Sequence, residues 1–267
     1  MRNALVGMLL FGVSLVAGCH RPAKSDVSPP CKVTVFAASS LSDLAEVIRR
    51  DFVSDHPSCS VTFNVGASNA LGLQIEAGAH ADVFLSAAAG PVDHLLAIRK
   101  NEAGPKIVLF SNHLALISNT LSSLDIKDAC ALKDANVERV ALGQPDAVPA
   151  GMYARAYLSK LKCADGQSAW TSLEGRLLPM PNVRAVLSVV EQQPTLVGFV
   201  YRTDAMMSKA VKTQFIVQGT DAPRIDYYGV GLGPKNQRKM AEEFLSEFSK
   251  ERVQDTIREM GFAIDKS

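Results

Sequence analysis

The sequence has no excess of either charge. Its 28 lysines and arginines against 27 aspartates and glutamates leave a formal net charge of +1 at pH 7. Without a strong field of one sign, binding to nucleic acid or to an anionic membrane surface is not expected, and any attraction for an anion must be local. The remaining composition, 47% hydrophobic and 21% charged over 267 residues, is that of a globular protein with one large domain or two lobes.

Motifs of metal sites and hydrolases are also missing. No Cys-x-x-Cys pair or suitably spaced histidine supports a metal site, and no Gly-x-Ser-x-Gly motif provides a nucleophile. We therefore predict that the chain is not an enzyme and has neither a cofactor nor a metal ligand set. A secreted serine hydrolase is the disfavoured alternative. Internal repeats and low-complexity blocks are absent from the sequence.

The N-terminal apolar run, Ala4 to Val16, is shorter than the roughly 20 residues that a transmembrane helix needs. It follows the basic Arg2 and ends in small residues, as in a secretory signal peptide. Val16-Ala17-Gly18-Cys19 resembles the bacterial lipobox, which implies cleavage before Cys19 and lipidation of its thiol. We expect a signal peptide over 1–18 and a lipid-anchored tether over 19–30, on the periplasmic or cell-surface side of a membrane. Ordinary cleavage, giving a free periplasmic protein, is the alternative.

Four cysteines remain after Cys19, an even number for an oxidising compartment, and they allow three pairings. Cys31 and Cys59 each stand at the start of a short run with strand character. Two neighbouring parallel strands would bring those starts together. We therefore favour the disulfides Cys31–Cys59 and Cys130–Cys163.

Strand-like and helix-like segments alternate along the rest of the chain. After the strand-like run 32–37, apolar residues from Leu41 to Phe52 recur at helical spacing, with Ser39 and Ser40 as candidate N-caps. Such alternation predicts an α/β fold with a parallel or mixed sheet covered by helices on both faces. If there are two lobes, short crossing strands must join them, and the chain passes between them more than once.

Small residues dominate the loops that lead from predicted strands into predicted helices. They expose backbone N–H groups, and Ser40 and Ser68 add hydroxyls. Several helix N-termini converging on one point would make an anion site, because each carries unpaired N–H donors and a partial positive charge. A single serine at a helix start is more often only a cap. These loops cover residues 37–41, 66–70, 146–151 and 181–184.

Taken together, several motifs resemble those of the periplasmic molybdate-binding proteins of ABC importers, and the resemblance extends from about Lys32 to Ile264. The motifs are Phe36-Ala37-Ala38-Ser39-Ser40-Leu41, Gln74-Ile75-Glu76-Ala77-Gly78-Ala79 followed by Ala81-Asp82-Val83-Phe84, Val148-Pro149-Ala150-Gly151-Met152-Tyr153-Ala154 and Val197-Gly198-Phe199-Val200-Tyr201. Where the family often has a run of serines, this chain has Gly66-Ala67-Ser68-Asn69.

The resemblance implies a two-lobed periplasmic-binding-protein fold, type II-like, with a mixed sheet flanked by helices in each lobe. It implies that molybdate or tungstate binds in the cleft between the lobes and is delivered to an ABC permease. By position, Ser40 and Ser68 would bind the oxyanion through hydroxyl and backbone N–H, Ala150 and Val183 through backbone N–H, and Tyr201 through its hydroxyl.

We predict that lobe I comprises residues 31–112 plus 220–267, that lobe II comprises 113–219, and that the protein is a monomer. Binding of sulfate, phosphate or ferric ion by the same fold is the main alternative. Tyr227-Tyr228 is similar to the adjacent tyrosines of ferric-ion-binding proteins, but its strand-like context favours sheet packing. Arg184 is either a charge steering the anion or a solvated residue at a helix start. Trp170 is interpreted as packing in the core or between the lobes.

Overall fold

The computed structural model describes residues 31–99 and 102–264. The predicted signal peptide and the tether with Cys19 lie outside the described residues. Within the described ranges, no helix combines the length and apolar character that crossing a membrane requires.

The first sheet is mixed and, in the described part of the chain, has five strands in the order β2-β1-β3-β10-β4. The strand β1 pairs in parallel with β2 and β3, whereas β10 runs antiparallel to both of its neighbours. These strands are β1 (Cys31–Ala38), β2 (Cys59–Gly66), β3 (Val83–Ser86), β4 (Ile107–Asn112) and β10 (Ile225–Gly231). The helices associated with this sheet are α1 (Ser42–Asp55), α2 (Ser68–Glu76), α3 (Ala89–Ile98), α8 (Lys239–Ser246) and α9 (Glu251–Glu259).

The second sheet, also mixed, has five strands within the described residues in the order β7-β6-β8-β5-β9. Here β6 is parallel to β7 and β8, and β5 is antiparallel to β8 and β9. The strands are β5 (Leu114–Asn119), β6 (Arg139–Gly143), β7 (Leu177–Met180), β8 (Leu196–Tyr201) and β9 (Val211–Ile216). Its helices are α4 (Pro149–Lys160), α5 (Ala169–Leu173), α6 (Val183–Gln192) and α7 (Arg202–Met207).

The two sheets with their helices form two lobes, so the predicted two-lobed α/β architecture is confirmed. The chain crosses from the first sheet to the second at His113 and returns between Ile216 and Ile225. Strands of each sheet fall within the ranges predicted for the corresponding lobe. Because β4 and β5 follow each other directly, the connection between the lobes is short.

Disulfides join Cys31 to Cys59 and Cys130 to Cys163, the pairing favoured from the sequence. Cys31 and Cys59 are register partners at the starts of the parallel strands β1 and β2, with their Cα atoms 4.4 Å apart. The Cα atoms of Cys130 and Cys163 are 5.5 Å apart. Each disulfide joins two residues of one lobe: Cys31–Cys59 lies in lobe I and Cys130–Cys163 in lobe II.

The suggested capping of α1 by Ser39 and Ser40 is wrong. A 3-10 turn over Ser39–Leu41 precedes the helix, whose N-cap is Leu41 with no capping hydrogen bond from its side chain. Instead, the Ser42 hydroxyl donates to the carbonyl of Ser39 at 2.7 Å. The Ser40 hydroxyl therefore has another role.

Candidate functional site

A small buried cavity lies between the lobes, and all five residues predicted to bind the oxyanion line it. None of the five is more than 4% exposed. The cavity has a volume of only about 10 Å³, far below the roughly 300–1,000 Å³ of clefts that hold organic ligands. Its lining residues are Ala38, Ser39, Ser40, Gly66, Ala67, Ser68 and Ala87 from lobe I, and Val148, Pro149, Ala150, Val183 and Tyr201 from lobe II.

Transitions between strands and helices place these residues. In lobe I, β2 ends at Gly66 and α2 begins at Ser68. In lobe II, Ala150 is the second residue of α4 and Val183 is the first residue of α6. Amides in the first turn of a helix have no partner inside the helix and carry partial positive charge. The backbone N–H groups at Ser68, Ala150 and Val183 are therefore donors available to a ligand in the cavity.

Close packing of α4 on β6 fixes the position of Ala150. A Cβ atom on Gly151 would lie only 1.8 Å from the carbonyl oxygen of Gly143, the last residue of β6. Only glycine permits that approach of the two backbones. Pro149 occupies the first helical turn, where its missing N–H costs no hydrogen bond. The Pro-Ala-Gly sequence thus sets the start of α4 at the cavity wall.

The hydroxyls of Ser40 and Ser68 each contact another group of the protein, and these contacts influence where each hydroxyl proton points. Ser68 Oγ accepts a hydrogen bond from the backbone N–H of Ala87 at 3.0 Å. Ser40 Oγ lies 2.8 Å from the phenolic oxygen of Tyr227. Because Ser68 uses an oxygen lone pair towards Ala87, its proton remains available to a group in the cavity.

The phenol of Tyr201 is fully buried, and its hydroxyl has no hydrogen-bond partner among the described residues. Burial raises the pKa of Tyr201 well above its usual value, and it also raises the pKa of Tyr153 to about 12. Both phenols therefore remain protonated at neutral pH and act as O–H donors. A buried donor without a partner is costly unless a ligand accepts from it.

No charged side chain is among the described residues that line the cavity. The nearby Arg184, on α6, lies 2.5 Å from a carboxylate oxygen of Asp43 and 2.8 Å from one of Asp204. The interpretation of Arg184 as a solvated residue is therefore wrong. Burial raises the pKa of Asp204 to about 7, although the neighbouring guanidinium of Arg184 acts in the opposite direction.

Sequence reasoning did not identify the residues that support this lining. Tyr227 lies in β10, as the sheet-packing interpretation required, but its hydroxyl also reaches Ser40. Tyr153, one turn into α4, donates across the lobes to the carbonyl of Ala87 at 3.3 Å. Tyr153 belongs to the motif Val148-Pro149-Ala150-Gly151-Met152-Tyr153-Ala154, and that position was the signal that the sequence offered for this contact. Trp170 packs partly buried against the core, with the Arg155 guanidinium 5.4 Å from its ring.

Within the described residues, no group of three or more His, Cys, Asp or Glu side chains is arranged to hold a metal ion. Tyr227 and Tyr228 do not act as a pair, because their hydroxyls have different partners. Tyr227 contacts Ser40, whereas Tyr228 donates to Asp226 at 3.4 Å.

Comparison with known proteins identifies the family to which this chain is similar. The family model described as bacterial extracellular solute-binding protein matches residues 33–263. A putative ABC transporter substrate-binding lipoprotein of Bacillus subtilis (strain 168) is 30% identical over 253 residues, covering 94% of each chain. The molybdate-binding protein ModA of Haemophilus influenzae is 31% identical over 242 residues, covering 87% of this chain and 90% of its own length.

Among solved structures, the substrate-binding domain of a putative molybdenum ABC transporter from Clostridium difficile superposes with a TM-score of 0.66 at 27% identity. It covers 88% of this chain and 100% of its own. Because these relatives are transport proteins, the prediction that the chain is not an enzyme is confirmed. The chain belongs to the bacterial extracellular solute-binding proteins that serve ABC transporters.

Proposed function

We propose that the protein captures molybdate, or the isostructural tungstate, outside the cytoplasm and delivers it to an ABC permease. The bound anion would accept hydrogen bonds from the hydroxyls and amides of Ser40 and Ser68, the amides of Ala150 and Val183, and the hydroxyl of Tyr201. The observation that carries the proposal is the convergence of these donors from both lobes on one buried cavity, together with the unpartnered hydroxyl of Tyr201.

The chemistry of the lining suits a fully deprotonated oxyanion. Fixed dipoles can stabilise a dianion in a dry cleft without the cost of burying a cation beside it. Monohydrogen phosphate carries a proton that needs an acceptor. A site with donors only leaves that proton unpaired, at a cost of about 1–3 kcal/mol.

Sulfate is the second candidate, because it is also a bare tetrahedral dianion and satisfies the same donors. Only the size of the cavity can separate sulfate from the larger molybdate. Support for molybdate comes from relatives, since ModA of Haemophilus influenzae is named as a molybdate-binding protein.

We further propose that Cys19 is the lipid-bearing residue and that residues 19–30 tether a monomer to the membrane. The relative from Bacillus subtilis is named as a putative lipoprotein, which supports a lipid anchor on this chain. Mass spectrometry of the protein from a membrane fraction tests this directly. A Cys19→Ser variant recovered in soluble form is the expected result, and an unmodified Cys19 thiol on the mature protein would contradict the proposal.

Calorimetric titration of the purified mature protein with molybdate, tungstate, sulfate, phosphate and Fe(III) tests the ligand. We expect tight binding of molybdate and tungstate and little response to the others. Equal affinity for sulfate would contradict the assignment to molybdate, and binding of Fe(III) alone would contradict an oxyanion site altogether.

Ser68→Ala removes one hydroxyl donor and leaves Ala87 N–H without its acceptor. We expect affinity for molybdate to fall about 10- to 100-fold, the range for a hydrogen bond to a charged group. Ser60→Ala is the matched control, because Ser60 is exposed at the other end of β2. Unchanged affinity in Ser68→Ala would remove this hydroxyl from the site.

A further inference from the structure

The hydroxyl of Tyr227 is the partner of a proposed ligand residue but does not itself line the cavity. Tyr227 is fully buried in β10, and its phenolic oxygen lies 2.8 Å from Ser40 Oγ. Its ring packs between aromatic neighbours, with centroids 5.1 Å from Phe110, 5.8 Å from Tyr201 and 5.6 Å from Phe262. These contacts leave the phenol little freedom to turn away from Ser40.

Burial decides the direction of this hydrogen bond. Desolvation raises the pKa of Tyr227, so the phenol keeps its proton, and a fully buried proton must find an acceptor. If Ser40 donated to Tyr227, the phenolic proton would be left unpaired in the core. If Tyr227 donates to Ser40, the proton without a protein acceptor is that of Ser40. This proton lies next to the cavity, where a ligand can accept it.

The surroundings of Tyr227 are consistent with that direction. Nearby Asn112 accepts the backbone N–H of His113 on Oδ1 at 2.8 Å, which leaves its Nδ2 as the donor towards Thr203 Oγ1 at 2.9 Å. Within the described residues, the hydrogen bond that the structure gives for the Tyr227 hydroxyl is the one to Ser40 Oγ. The phenolic proton of Tyr227 is therefore directed to Ser40 Oγ.

We propose that Tyr227 is a positioning residue that sets the specificity of the oxyanion site by holding the Ser40 hydroxyl as a donor. The hydrogen bond from Tyr227 occupies one of the two lone pairs of Ser40 Oγ, so that Ser40 has its proton available for the bound anion and less capacity to accept the proton of a protonated one. This inference rests on the proposed function of the cavity.

A second serine shows the same arrangement with a different donor. Ser68 Oγ accepts from the backbone N–H of Ala87, so its lone pair is also occupied from the protein side. In both Ser40 and Ser68, a donor from the protein thus favours the orientation in which the hydroxyl donates to the cavity. Only the donor to Ser40 is a side chain, and only it can be removed by a substitution.

The substitution Tyr227→Phe removes the donor and keeps the ring in its aromatic contacts. The Ser40 hydroxyl can then rotate and accept as well as donate. We expect affinity for molybdate to fall about 5- to 10-fold, as for loss of one hydrogen bond. Affinity for monohydrogen phosphate should be unchanged or higher, so that discrimination between the two anions decreases.

A double-mutant cycle separates this role from packing. Calorimetry would compare molybdate and phosphate at pH 8 in the wild-type chain, Tyr227→Phe, Ser40→Ala and the double variant. If Tyr227 acts through Ser40, its substitution reduces molybdate affinity only when Ser40 is present. Tyr228→Phe is the matched control, because this neighbouring tyrosine bonds to Asp226 and does not contact Ser40.

Three results would overturn the inference. Equal loss of affinity from Tyr227→Phe in both backgrounds would mean that Tyr227 acts by packing, and no loss in either would mean that it has no role. A wild-type protein that binds sulfate but not molybdate would refute the proposed ligand alone, because the same cycle can then be run with sulfate. A wild-type protein that binds neither oxyanion would refute the proposed function and this inference with it.

Discussion

At the scale of single residues, the site is built from groups that are individually uncharged and protonated. The buried Tyr201 hydroxyl is the clearest example, because it has no partner among the described residues and burial keeps its proton in place. A group of this kind weakens the ligand-free fold and strengthens the complex. Its two effects can therefore be measured separately.

Tyr201→Phe should lower affinity for molybdate about 10- to 100-fold, because one hydrogen bond to a charged ligand is lost. The free energy of unfolding of the ligand-free protein should stay the same or rise by about 1 kcal/mol, because a buried unpaired hydroxyl disappears. Calorimetry and urea denaturation give the two quantities. Tyr157→Phe, on α4 and away from the cavity lining, is the control. A large loss of stability with unchanged affinity would show that Tyr201 is a structural residue.

At the scale of secondary structure, the site depends on how closely α4 approaches β6. Gly151→Ala would place a methyl group 1.8 Å from the Gly143 carbonyl oxygen, so the start of the helix must move away from the strand. We expect the displaced Ala150 amide to reduce affinity for molybdate at least tenfold, and the melting temperature to fall by several degrees. Fluorescence titration and thermal unfolding measure these effects.

The control for this substitution is Gly90→Ala. Gly90 also lies in the first turn of a helix, α3, but a Cβ atom there meets no atom within 4 Å. Its replacement should leave affinity unchanged and stabilise the protein slightly, because alanine favours the helix. If both variants behaved alike, the close contact of α4 with β6 would not be what positions Ala150.

Much of this element structure could be predicted from the sequence. The strand predicted over 60–65 corresponds to β2 (Cys59–Gly66), and the strand predicted from Leu196 to Tyr201 corresponds to β8. Short or irregular elements such as β7 and α7 carry too few residues to show a period. The crossing strands β4 and β5 were expected only in general terms, because long-range pairing rather than local pattern defines them.

For the site, the sequence motifs placed five residues that the structure brings to one cavity. The supporting contacts could not be predicted, because they join residues far apart in the chain. Ser40 meets Tyr227 across 187 positions, and Arg184 meets Asp43 across 141. Local sequence patterns do not predict such long-range contacts. Only the folded backbone brings these residues together.

At the scale of the whole molecule, polar side chains of the described residues join the lobes across the cleft as well as near the connections at His113 and 216–225. Arg184 in lobe II pairs with Asp43 in lobe I at 2.5 Å, and Tyr153 donates to the Ala87 carbonyl across the same cleft. These bonds exist only while the lobes are close together. They therefore stabilise the closed form, in which the proposed ligand residues are buried.

Asp43→Asn removes the charge that lobe I offers to Arg184. Both side chains remain partly exposed, so solvent screening limits the effect, and we expect molybdate affinity to fall roughly two- to fivefold, less at high salt. Small-angle scattering should show a larger open fraction without ligand. Asp55→Asn is the control, since Asp55 is on the same helix but pairs with Lys250 of the same lobe. A loss of affinity that did not depend on salt would argue against this ionic contribution.

The two disulfides also bear on how the molecule moves. Cys31–Cys59 and Cys130–Cys163 close segments of 28 and 33 residues, and neither spans the crossing points at His113 and 216–225. Each crosslink stabilises its own lobe by restricting the unfolded chain, a contribution of about 3–4 kcal/mol in the chain-entropy model. The redox state of the surroundings thus affects the stability of each lobe, while neither disulfide crosslinks one lobe to the other. An oxidising compartment can strengthen this protein without slowing its capture and release of the ligand.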